Sequence, residues 1–122
     1  MAESLFGTPP TISNPDNAED TYSMSTRIEF LAAGTITGVR FWGTTNNIAT
    51  SPVARVYTTA GVAESTEAFV GPFLTTAWNT VMLGTPVAVA AGEFRDITVG
   101  PRDRYAANIG QFAAPFTVGN LR

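Results

Sequence analysis

The side chains in this chain that could do acid–base or metal chemistry are carboxylates. Glu93 with Asp96, and Glu64 with Glu67, sit close enough in sequence to be weighed as the acid pair of a glycoside hydrolase. Such a pair needs one carboxyl raised in pKa and set in a cleft, and no feature around either pair supplies that, so catalysis is not expected. Asn14, Asp16, Asn17, Glu19 and Asp20 offer hard oxygen ligands of the kind Ca²⁺ takes. Their spacing departs from the Asp-x-Asp/Asn-x-Asp/Asn-Gly loop, so a solvated turn is the first expectation there, calcium the weaker one, and no cofactor is assigned. The sequence has no His and no Cys. Its chemistry therefore lacks the commonest general base, a thiolate nucleophile, a zinc–thiolate site and any disulfide. No side chain with an ordinary pKa titrates between about pH 6 and pH 8, so stability and assembly should be flat there, the α-amino group apart.

The remaining candidates are aromatic or basic. Trp42, Tyr57 and Trp78 could stack on sugar rings, although large aromatics in a domain of this size more often fill the core. Trp42 is the best placed, at a strand end beside a polar loop, so Trp42, Asn46 and Asn47 are the candidate glycan contacts. Arg40 reads as half of a structural ion pair, with Glu29 or Asp96 as partner.

With 122 residues the chain is long enough for one packed domain without staples. Charged residues make up only 14% of it against 44% hydrophobic. That charged share is well below the usual quarter or so, so Thr, Ser, Asn, Gly and Ala must cover much of the surface. Such a surface suits close contact with other protein, because few charges need desolvating. The net charge is −3, Lys is absent and no basic run occurs, which argues against nucleic acid. The opening Met1-Ala2-Glu3-Ser4 lacks the basic and apolar regions of a signal peptide. No apolar run reaches the roughly 20 residues of a membrane span.

The elements that must position these residues read as strands. Gly34-Thr35-Ile36-Thr37-Gly38-Val39-Arg40-Phe41-Trp42 is the central one. Simple alternation puts Ile36, Gly38, Arg40 and Trp42 on one face and Thr37, Val39 and Phe41 on the other. A strand over 21–31 precedes it and is expected to form a hairpin with it through Ala32-Ala33-Gly34. Further strands are expected over 53–58, 67–70, 78–83, 87–89 and 94–99. Gly61, Gly71-Pro72, Gly84-Thr85-Pro86, Ala91-Gly92 and Gly100-Pro101 punctuate them. Residues 1–20 read as an extended arm ending in a turn at Asn14-Pro15-Asp16-Asn17, and residues 21–122 as the folded domain with an irregular C-terminal segment. Val39, Phe41, Ile28 and Val81 are the expected core. Short strands with turn signals about every ten residues, and no capped helical stripe, indicate an all-β antiparallel sandwich of jelly-roll or immunoglobulin-like type.

The central strand resembles the hallmark strand of the uncharacterised domain of unknown function four thousand and eighty-two. Met24-Ser25-Thr26-Arg27-Ile28 stands where that family has a Leu-Gly-apolar-basic-Phe strand. Val56-Tyr57-Thr58-Thr59-Ala60-Gly61 resembles its Leu-Trp strand and turn. Ala77-Trp78-Asn79-Thr80-Val81 resembles its Gly-Trp-Gln-x-Val, and Pro86-Val87-Ala88-Val89-Ala90-Ala91-Gly92 its Pro-Val-x-Ile-x-Ala-Gly. Tyr105-Ala106, Gln111-Phe112 and Gly119-Asn120-Leu121 fall where it has Tyr-Ala/Ser, Tyr-Phe and Gly-Pro-Leu. The family's closing Asn-Tyr-aromatic-Val-Asp-Val strand and its His and Lys positions have no counterpart here. The resemblance implies a fold like that of sugar-binding sandwiches. It also implies the settings where such domains occur: secreted modular bacterial proteins and minor tail proteins of actinobacterial phages. It carries over no activity and no functional residue.

The expectation is a non-enzymatic bacteriophage virion protein, either a capsid decoration (cement) protein or a small minor tail protein. It would be assembled in the host cytoplasm and displayed on the virion surface. Its partners would be capsid or tail subunits and copies of itself, with a trimer favoured. The alternative is a carbohydrate-binding module for host-surface glycans. Leu5, Phe6 and Ile12 in the arm, with Phe112, Phe116 and Leu121 near the C-terminus, are the candidate subunit contacts, because an open sandwich edge and an apolar strip need a cover.

Overall fold

The computed structural model describes residues 14–43, 52–74, 77–107 and 121, with side chains described between residues 25 and 100 and at Leu121. These residues form strands β1 (Asn14–Glu29), β2 (Gly34–Trp42), β3 (Val53–Tyr57), β4 (Ala63–Ala68), β5 (Trp78–Val89) and β6 (Phe94–Ala107), with no helix among them. Four strands make one sheet in the order β1-β6-β3-β4, and β2 pairs with β5 in a second. Every pairing is antiparallel, so the chain is an all-β sandwich.

The expected hairpin between the first strand and the central one does not form. β1 pairs with β6 and β2 with β5, so residues 30–33 carry the chain from one sheet to the other. Among the described residues the tight hairpin joins β3 to β4. There the Thr58 amide donates to the Val62 carbonyl at 2.8 Å, and Gly61 takes a φ of 85°. The turn from β5 to β6 holds Gly92 at φ 84°, a left-handed conformation that favours glycine. It is tied to the end of β1: the Gly92 amide donates to the Phe30 carbonyl, and the Phe30 amide to that of Glu93.

Three breaker sequences turn out to lie inside strands, each at a register irregularity. Asn14–Asp20, expected as arm and turn, belong to β1, whose pairing with β6 shifts between Asn14 and Asn17 and again near Tyr22. Gly100-Pro101, expected to end the last strand, lies within β6. Pro101 follows the last residue paired with β3 and sits at the shift opposite Tyr22 and Met24. Proline is tolerated at such bulges and edges because no ladder donor is lost there. Gly84-Thr85-Pro86, expected to split two strands, lies within β5: Ile36 pairs with Val87 and Gly38 with Met82, so Thr37 stands opposite the extra residues. That irregularity turns β2 over. Ile36 is buried on the same side as Val39 and Phe41, and does not share a face with Arg40 and Trp42 as strict alternation requires. The strand expected over 67–70 instead spans Ala63–Ala68, and Phe69 enters the core just beyond it.

The core lies between the two sheets. Ile36, Val39 and Phe41 from β2 meet Leu83, Val87 and Val89 from β5, and Ala54 and Val56 from β3, with Phe69 closing over them. Of the expected core, Val39 and Phe41 are buried, Val81 packs partly buried against the cluster, and Ile28 is half-buried. Phe41 is its aromatic centre: Phe69 meets it edge-on at 4.9 Å and Phe73 lies tilted at 6.0 Å. The Ser65 hydroxyl is buried with no hydrogen-bond partner.

Candidate functional site

The outer face of the β2–β5 sheet carries the tryptophans. Trp42 and Trp78 are direct cross-strand partners, and their rings meet edge-on at 5.3 Å. Arg40, diagonal to Trp78 across the ladder, lays its guanidinium 4.1 Å from the centre of that ring. Burial pushes the Arg40 guanidinium below its ordinary pKa, though it stays charged at any physiological pH. Of the two acids expected as partners for Arg40, Glu29 and Asp96, the second gives both its oxygens to Arg27, at 2.7 and 2.9 Å. Along β5 the same face shows Thr80 and Met82, the latter 63% exposed.

One end of this sheet is closed by the segment after β4. The buried Asn79 side chain acts on it as a piece of backbone would. Its Oδ1 accepts from the Leu74 amide at 2.7 Å, and its Nδ2 donates to the Leu74 carbonyl at 3.0 Å. Gly43 is needed for this approach, since a Cβ there would stand 1.9 Å from the Leu74 carbonyl oxygen. Phe69 and Phe73 anchor the segment inward, while Val70 is 88% and Leu74 55% exposed. The fold thus holds two bulky apolar side chains out at a pinned loop. Sequence reading missed these residues. The available signal was Asn79 itself, a polar residue on the face shared by Val81 and Leu83, because a buried amide must be holding something.

The outer face of the four-stranded sheet is built from charge and hydroxyls. The Arg27–Asp96 pair crosses from β1 to β6, and Arg55, Tyr57, Thr66, Thr98 and Ser25 lie on the same face. At one end of the sandwich Arg95 gathers Glu64 at 2.6 Å and Glu93 at 3.1 Å. Glu64 is the extra residue where the β3–β4 register shifts, and that shift frees it to reach Arg95. Glu93 also accepts from the Ala90 amide, and this bond, ahead of Arg95, holds its carboxyl below the usual range. The hydrogen bond from Arg27 does the same for Asp96. Glu67 accepts from the Gly84 amide at 3.0 Å and so ties β4 to the irregularity in β5. The two carboxylate pairs weighed for glycoside hydrolysis are thus spent on structure: Glu93 and Asp96 hold different arginines, and Glu64 and Glu67 hold Arg95 and a backbone amide.

Of the candidate glycan contacts, Trp42 is half-buried against Trp78, and Asn46 and Asn47 lie outside the described residues. So do Leu5, Phe6, Ile12, Phe112 and Phe116 of the candidate subunit contacts. Leu121, the last of them, forms an antiparallel bridge with Phe30 of its own chain. Asn14, Asp16, Asn17, Glu19 and Asp20 run along β1 as extended strand, not as a loop.

With this architecture in view, the family model described as "Domain of unknown function (DUF4082)" matches residues 8–122. The chain belongs to that family. No curated protein and no solved structure matches it.

Proposed function

We propose that this chain is a non-enzymatic structural protein of a bacteriophage virion, a capsid decoration protein or a small minor tail protein, that works by binding other virion subunits. The observation that carries the reading is the apolar end of the two-stranded sheet, where Val70 and Leu74 project from a segment clamped by Asn79 and Gly43. A pinned apolar loop loses little conformational entropy on docking, which suits a permanent contact between proteins. The non-enzymatic part is supported by the absence of His and Cys from the sequence and by the structural use of Glu64, Glu67, Glu93 and Asp96. The phage setting rests on where the family is expected to occur. The experiment is recovery: an epitope-tagged chain expressed during phage growth should band with intact virions in a density gradient, in a fixed ratio to the major capsid or tail protein. Recovery only in the free-protein fraction would contradict the proposal. A second reading, adhesion to a host-surface glycan, is favoured by the Trp42–Trp78 pair. Arg40 covers one face of Trp78, so Trp42 is the ring to test, by glycan-array binding of Trp42→Ala against the unaltered chain.

A further inference from the structure

We infer that the outer face of the four-stranded sheet is a binding site for a carboxylated polysaccharide, with Arg55 as its anion-binding group. Of the arginines whose side chains are described, Arg27 is held by Asp96, Arg95 by Glu64 and Glu93, and Arg40 lies over Trp78; Arg55 alone has no partner within the fold. It is also half-buried, lying along the middle of the face on the interior strand β3. A guanidinium offers five donors in a flat fork that matches a carboxylate, and a half-buried fork with no acceptor leaves that capacity open. The register supplies its surroundings. Thr98 on β6 and Thr66 on β4 stand directly opposite Arg55, and Ser25 stands beyond Thr98 on β1. One row across all four strands therefore reads hydroxyl, hydroxyl, guanidinium, hydroxyl. Three strand gaps of about 4.8 Å each make it about 14 Å long, a length that several linked sugar rings would cover. Tyr57, two residues along β3 on the same face, adds a ring and a phenol beside it. The one carboxylate described on these rows is that of Asp96, already taken by both nitrogens of Arg27. Hydroxyls that donate and accept, with a single fixed fork, match a sugar chain bearing one carboxylate better than an acidic peptide, whose side chains would need pockets that a flat sheet lacks. The site lies on the opposite face of the sandwich from Trp42, and neither Val70 nor Leu74 belongs to the Arg55 row, so the virion reading and this one are tested separately.

The test is affinity electrophoresis of the full chain through gels containing polygalacturonate, alginate or hyaluronate. The chain's net charge of −3 opposes any unspecific attraction to these polyanions, so retardation reports a local site. The expected result is retardation by at least one polymer, lost when that polymer is methyl-esterified. Arg55→Gln should weaken it about tenfold or more, and Arg55→Lys should restore only part, because the charge returns without the fork. Arg55→Gln should melt with the unaltered chain, since it removes no partner. No retardation by any of the three, retardation unchanged by Arg55→Gln, or equal retardation by poly-glutamate would each overturn the assignment.

Discussion

The two outer faces of this sandwich are built on opposite physics. The four-stranded face carries its polar groups openly: a two-pronged Arg27–Asp96 pair, a row of hydroxyls and a half-buried Arg55. The two-stranded face carries rings, Arg40 over Trp78 and Trp78 against Trp42, and ends in an apolar loop pinned by a buried amide. Salt screens the first kind of interaction and barely touches the second. A charged face must be stripped of water before another protein can sit on it. A face of rings, threonine and methionine has already lost most of that cost. On the proposed reading the faces do different work: the two-stranded side makes permanent protein contact, and the four-stranded side takes a wet ligand.

The comparison can be broken from the inside outward. Phe41→Ala removes the ring on which Phe69 and Phe73 rest and should cost about 3–5 kcal/mol in chemical denaturation; a loss below about 1 kcal/mol would mean that the two-stranded sheet does not depend on this aromatic anchor. Asn79→Ala leaves the Leu74 amide and carbonyl without their partner and should cost about 1–3 kcal/mol, and hydrogen exchange should show faster opening at residues 70–74 than in β3. Ser65→Ala removes a buried hydroxyl that has no partner, so its melting temperature should be unchanged or slightly higher, where an average buried substitution lowers it. Arg27→Ala should have a small effect, a slight drop in melting temperature that disappears in high salt.

Acid offers a further contrast. The carboxyls of Glu93 and Asp96 are held below their unfolded values. The stability they contribute is fully present above the unfolded pKa, near pH 4, and is lost as the pH falls through their folded values. Melting curves should therefore be flat between about pH 6 and pH 8 and fall only in the acid range, with a smaller acid loss in Glu93→Gln. A mid-range transition would reveal a titrating group that this account does not contain.

Much of this was legible in the residues. Alternation along β2 and β5 placed Val39, Phe41, Asn79 and Leu83 inward, and Gly61 and Gly92 marked true turns. What alternation could not show was where it is interrupted. Pro15, Pro86 and Pro101 read as stops because proline donates no ladder bond, yet each sits in a strand at or beside a register shift. A shift in register is set by the partner strand, which local spacing does not contain, so Ile36 was assigned to the wrong face. The hairpin from the first strand to the central one failed for the same reason: a short connection fits either a return in one sheet or a crossing to the other. At the candidate site, Trp42 and Arg40 were visible as types. The Asn79 clamp and the unpartnered Arg55 exist only through residues brought together by pairing.

The measurement that bears most directly on the account is virion incorporation of a chain carrying Val70→Asp and Leu74→Asp together. Both side chains are largely in solvent, so the variant should melt with the unaltered chain. Charges placed on a protein contact must be desolvated without partners, at a cost of several kcal/mol per ion. The account predicts a folded protein missing from purified virions. A double variant that is incorporated at the unaltered level would show that the apolar end of the two-stranded sheet is not the docking surface.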